Sequence, residues 1–174
     1  MAGVQPKFKL QWTKRDQKTY SVSGATYEEM FTFFEKKHAA REEWAKFHAE
    51  RPDLSFKPSR DEPITEVTLK IGYTITMPTW SKASALGRKG KDAWDKMMAA
   101  LDKHEDTHRR ILEQQIKLFG EAVERETDLT VKKLSDMFKK FPADVKSAQD
   151  DYDSKTSHGE KEGVFLPAPD KVQD

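Results

Sequence analysis

The first apolar periodicity along the chain has a step of two. In "KFKLQW", Phe8, Leu10 and Trp12 share one side, and in "KTYSVSG" Tyr20 and Val22 repeat the pattern, which predicts two short strands. Beyond Gly24, Thr26 stands three residues ahead of Glu29 in "TYEE", the spacing of a capping box. Neither Gly nor Pro interrupts the following run to about Glu50, so a helix is expected there, ended by "RPD". Alternation returns from Ile64. Val67, Leu69, Ile71, Tyr73, Ile75 and Met77 then predict a long strand with one buried face, stopped by Pro78.

The period changes again after "SKASALGRKGKD", a basic stretch rich in Gly and Ser that reads as a loop. Asp92 is placed to cap a helix reaching at least Leu118 and extending towards Glu126. Its apolar stripe passes through Trp94, Met97, Met98 and Leu101 and resumes at Ile111, Leu112, Leu118 and Phe119. A short helix is expected around 129–138, ending before Pro142, and the tail "DDYDSKTSHGEKEGVFLPAPDKVQD" reads as irregular. Strands and helices in this mixed order predict an α+β fold, with a small mixed or antiparallel sheet packed on long helices. One compact domain over residues 1–174 suits the length, with the ends, about 1–6 and 168–174, expected to fray.

Composition narrows the classes of function. Thirty-one Lys plus Arg against thirty Asp plus Glu give a formal net charge of +1, and the signs are interspersed, so nucleic acid is not the expected partner. With no cysteine, disulfides, thiolate zinc sites and a cysteine nucleophile are excluded. No apolar run has the length of a membrane span, and "MAGVQPKFKLQW" lacks the continuous apolar core of a secretory signal.

The stripe on the long helix carries the chemistry. Steps of three and four residues bring 104, 105 and 108 onto the band of Trp94, Met97, Leu101 and Leu112. His104, Glu105 and His108 are therefore expected to face inward, while Asp95, Lys96, Lys103, Asp106, Arg109 and Arg110 form the solvated face. Buried imidazoles and carboxylates cost free energy unless they are paired or metal-bound. Histidines four apart on a helix rise about 6 Å along the axis and project in parallel, so both can reach one ion. "HEDTH" is thus H-E-x-x-H, in which zinc activates water and a glutamate serves as general base. The plainer reading of the same residues is a buried histidine pair hydrogen-bonded to carboxylates.

A catalytic zinc site needs a third protein ligand. Glu121, Glu124 and Glu126 would lie roughly 20 Å or more along an unbroken helix and could return only through a break near Gly120. "YDSKTSHG" offers His158 as the preferred third ligand, with Asp153 as the alternative ligand or as an acceptor fixing a histidine tautomer. Tyr152 is a candidate catalytic hydrogen-bond donor to an oxyanion. His38 and His48 are expected to be exposed on the first helix.

The blocks "YSVSGATYEEM", "YTITMPTW", "AWDKMMAALDKHEDTH" and "YDSKTSHGEKEGVFLP", in this order from Tyr20 to Pro167, resemble an uncharacterised bacterial family described as predicted secreted zinc-dependent proteases. The resemblance implies a zincin-like fold, His104 and His108 as zinc ligands, Glu105 as base, the "YDSKTSHG" segment near the metal, and export. The leading expectation is therefore a zinc metallopeptidase acting on a protein or peptide substrate. A catalytically inactive zincin-like binding module stabilised by metal, and a zinc amidase acting on cell-wall peptide, are the alternatives.

Overall fold

The computed structural model describes residues 3–58 and 63–172, so the expected fraying at 1, 2, 173 and 174 lies outside the described residues. The order of elements is β1 (Lys7–Ser21), α1 (Tyr27–Ala39), β2 (Lys46–Ala49), β3 (Asp53–Lys57), β4 (Glu66–Thr79), α2 (Arg88–Glu124) and α3 (Val131–Thr156). The class is α+β, with a four-stranded mixed sheet and three α-helices among the described residues. Among the described residues, no helix is long and apolar enough to cross a membrane.

β4 is the centre of the sheet, paired with β1, β2 and β3. The Lys7 N–H donates to Thr65 O at 2.9 Å and the Val22 N–H to Thr79 O at 2.8 Å, so β1 runs parallel to β4. β3 pairs antiparallel with it, from Asp53 opposite Lys70 to Lys57 opposite Glu66. β1 is one continuous strand where two short ones were expected, because the polar stretch between them can run along β4 with side chains in water. Nor does Pro78 stop β4. Strand pairing continues through it to Thr79.

The expected long first helix is much shorter. Thr26 does cap α1, its Oγ1 accepting from the Glu29 N–H at 3.3 Å, while the Glu29 carboxylate accepts from the Ala25 N–H at 2.5 Å. The chain then turns at Arg41, whose φ of 56° is left-handed, and the Glu42 N–H closes the end on Lys37 O at 2.9 Å. This stop has no glycine to announce it. It lets Trp44 turn back onto Phe34, ring centroids 4.7 Å apart, and places exposed His48 on β2 rather than on α1.

Among the described residues two compact units are distinguishable, one within Met1–Arg15, Ala49–Tyr73 and His108–Asp151, the other within Asp16–His48, Thr74–Thr107 and Tyr152–Asp174. In the first, Phe119 meets Phe8 edge-on at 5.8 Å and Phe141 at 5.2 Å. Phe8 also explains Gly120, which sits inside unbroken α2: a Cβ there would lie 2.5 Å from Phe8 Cδ1. Tight packing, not a helix break, requires that glycine. Buried Leu134, Phe141 and Val145 hold α3 together through Pro142, where the sequence predicted its end. In the second unit, Met30, Phe34, Trp80, Trp94, Met97 and Leu101 belong to one buried cluster. Val172 packs against that cluster, and Pro169–Lys171 forms a 3-10 turn.

Candidate metal centre

α2 starts at Arg88, ahead of the expected cap at Asp92, with the Lys91 N–H donating to Gly87 O at 2.9 Å. Its inward stripe runs through buried Trp94, Met97, Leu101, Leu112, Ile116, Phe119 and Val123, whereas Leu118, expected on it, is 46% exposed. His104, Glu105 and His108 fall on this stripe with relative exposures of 5%, 4% and 7%. The helix therefore buries three polar side chains in consecutive turns of an apolar face, as the periodicity predicts.

α3 brings the remaining groups. It continues beyond Pro142 to Thr156, so Tyr152 and Asp153 sit on its last turn and not on an irregular tail. One ligand atom each from His104, His108 and Asp153 lies within 4.8 Å of the others. His104 Nε2 and Asp153 Oδ1 are 3.3 Å apart. A tetrahedral ion with bonds of about 2.0–2.2 Å holds its ligand atoms roughly 3.3–3.6 Å apart, so this pair already has a suitable spacing.

His158 is not in that group. Its side chain is 76% exposed and its Nδ1 lies 3.9 Å from Asp153 Oδ2. α3 ends in a Schellman turn in which the His158 N–H donates to Asp153 O at 2.9 Å, with Ser157 and His158 both at φ of 52°. Glu121, Glu124 and Glu126 stay with other partners: Arg125 for Glu121, the Phe8 N–H for Glu124, and Lys133 for Glu126.

Two further residues at the site have no motif of their own. Glu162 Oε2 lies 2.9 Å from His104 Nδ1 and accepts from the Tyr152 hydroxyl at 2.6 Å. Gln149 Oε1 is hydrogen-bonded to His108 Nδ1, and Gln149 Nε2 donates to His108 O at 2.9 Å. The Tyr152 ring also stacks on His104, with centroids 4.9 Å apart and planes at 23°. The only advance sign of Glu162 is the "GEKEG" spacing. Gly159 and Gly163, at φ of 88° and 97°, bracket the short turn Glu160–Glu162 and aim its last side chain at the helix.

The electrostatics favour positive charge. Burial pushes the His104 imidazole down, yet hydrogen bonds to Asp153 and Glu162 and the charges of Glu105 and Asp153 together leave its pKa raised. Burial pushes Glu162 up, but the bonds from Tyr152 and His104 and the nearby charges of His104 and Lys103 outweigh it and lower its pKa. Burial and then the bond to Glu162 push the Tyr152 phenol up to about 12, so it stays a proton donor at neutral pH. Three carboxylates around two imidazoles are a donor set suited to a cation.

Gly159 packs directly on this centre. A Cβ there would lie 2.7 Å from Val164 Cγ2 and 3.3 Å from His104 Cγ, in a left-handed backbone that disfavours a side chain. Gly159→Ala is expected to destabilise the protein by about 1–3 kcal/mol, read from the midpoint of denaturant unfolding. An unchanged midpoint would mean that the turn relaxes freely.

Fold and site together define an α+β protein in which a long helix, with the helix after it, presents a candidate His-His-Asp metal site. The chain belongs to a bacterial family: residues 17–159 match the family model described as "Bacterial protein of unknown function (DUF922)". Neither the comparison with curated proteins nor that with solved structures gave a match.

Proposed function

We propose that this protein is a zinc-dependent metallopeptidase with a zincin-like catalytic domain, in which His104, His108 and Asp153 hold the metal and Glu105 is the general base. The observation that carries the reading is the convergence of the three ligand atoms within 4.8 Å beside a buried glutamate of the same helix face. Two imidazoles and a carboxylate are a ligand set of catalytic zinc, with a fourth position left for water or substrate. Zinc bound there would lower the pKa of water and polarise a carbonyl. Glu105 takes the proton of the attacking water and passes it to the departing amine. His104 and His108, each deprotonated at the ligating nitrogen by the ion, would supply nitrogen donors, and Asp153 the negative charge that offsets part of the ion's own.

A base beside the metal favours hydrolysis over a purely structural role. A metal-stabilised binding module needs ligands but has no use for Glu105 as a proton carrier.

Purified protein titrated with zinc is expected to bind about one ion per chain, as a single three-ligand site requires. Asp153→Ala should lose tight binding, while His158→Ala should keep it. Tight binding by Asp153→Ala together with its loss in His158→Ala would return His158 to the ligand set. No zinc binding by folded wild-type protein would overturn the reading altogether.

A further inference from the structure

We infer that Glu162 with Tyr152 is the positioning pair for His104, that Gln149 is the positioning residue for His108, and that together they turn both Nε2 atoms to the metal. The inference rests on the metal site proposed above and assigns the residues that shape it without touching the ion.

An imidazole can bind a metal through either nitrogen, and the partner of the other nitrogen decides which. An ionised carboxylate only accepts hydrogen bonds. Glu162 Oε2, 2.9 Å from His104 Nδ1, therefore keeps a proton on Nδ1, and Nε2, 3.3 Å from Asp153 Oδ1, is the nitrogen that would give up its proton to a metal shared with that carboxylate. The same Glu162 oxygen accepts from Tyr152 at 2.6 Å, so the carboxylate is itself held in place. Tyr152 adds a second restraint by stacking its ring on His104.

At His108 the assignment follows from a different group. An amide side chain has one end that donates and one that accepts. Gln149 Nε2 donates to the carbonyl of His108 at 2.9 Å, which commits its NH2 end and turns Oε1 towards the ring. Facing an acceptor, His108 Nδ1 must carry the proton. Nε2 is then the nitrogen left to ligate.

The two anchors differ in charge. Glu162 is an anion and raises the basicity of His104 as a ligand, whereas neutral Gln149 fixes the His108 ring with less effect on its donor strength. Tyr152, its proton engaged by Glu162, acts in this scheme as a positioning residue and not as a donor to an oxyanion. Its removal should therefore appear in metal affinity.

The test measures zinc affinity by competition with a chelating indicator, using full-length wild type, Glu162→Gln and Tyr152→Phe. Imidazole 15N chemical shifts are recorded on the same proteins. Glu162→Gln, close to isosteric, is expected to weaken zinc binding by about 10- to 100-fold, and Tyr152→Phe to weaken it less. In zinc-loaded wild type both histidines should show protonated Nδ1 and metal-bound Nε2. Affinities within about two-fold of wild type in both variants, or a shift pattern with Nδ1 on the metal, would overturn the inference. Loss of turnover in Tyr152→Phe at unchanged affinity would instead make Tyr152 a catalytic donor and overturn its positioning role. Should wild type bind no zinc, the peptidase reading fails by itself. The His108 tautomer in metal-free protein at alkaline pH, expected as Nδ1–H and lost in Gln149→Leu, still decides the anchor assignment.

Discussion

In the proposed peptidase, Glu105→Gln is expected to bind zinc as wild type does and to hydrolyse peptides about 10²- to 10⁴-fold more slowly, the range attributed to a positioned general base. Glutamine matches glutamate in volume, so the 4% exposed position on α2 is filled without a cavity. What disappears is the ability to accept a proton. A neutral amide cannot take one from water at any useful pH, nor return one to the leaving amine. Because the change removes an interaction that matters most in the transition state, it should lower kcat and kcat/KM together and leave KM nearly unmoved. The measurement is a peptide-library digest followed by kinetics on one cleaved sequence, with zinc content determined for both proteins. Equal cleavage by wild type and variant would point to a contaminating protease. Zinc-loaded wild type that cleaves nothing in the library would favour the binding module.

The parts of this molecule that can be read directly from the sequence are those governed by local periodicity. β4 and α2 are long and strongly patterned, and the inward direction of His104, Glu105 and His108 follows from their place on the stripe of α2. The end of α1 is not legible in this way. Arg41 takes a left-handed conformation that sequence normally signals with glycine, and the turn it makes lets partly buried Trp44 pack on Phe34. The brief alternations that become β2 and β3, with Phe47, Leu54 and Phe56 half-buried, are hidden by that missing stop and by the flanking prolines.

α3 shows the opposite failure. Pro142 removes one helical hydrogen bond, yet Leu134, Phe141 and Val145 bury enough surface to carry the helix through it. The consequence reaches the site: on a helix, Asp153 is held at a fixed height and angle, while His158 falls beyond the closing turn and into water. A motif block that contains both residues does not say which one joins His104 and His108. Gln149 and Glu162 are less legible still, because an acceptor for an imidazole N–H needs only reach, and no spacing rule singles it out.

Phe34→Ala is expected to have the largest effect on stability, about 3–5 kcal/mol, the range for removing a large buried aromatic side chain. Phe34 is 1% exposed and touches three other rings, with centroids 5.4 Å from Phe33, 4.7 Å from Trp44 and 6.2 Å from Trp94. Truncation removes the apolar contact and leaves a hollow that Trp44 and Trp94 cannot both fill, since Trp94 is fixed on α2 and its ring also meets Trp80 at 5.6 Å. Trp44 has a further tie, because the Tyr20 hydroxyl donates to its carbonyl at 2.5 Å. With the surrounding rings restrained, little collapse can offset the cavity. Denaturant unfolding followed by tryptophan fluorescence should show a lower midpoint with an unchanged slope, and Phe34→Leu should lose markedly less. A loss below about 1 kcal/mol for Phe34→Ala would mean that the aromatic cluster repacks, and that α1 is not anchored to the second unit's core through this ring.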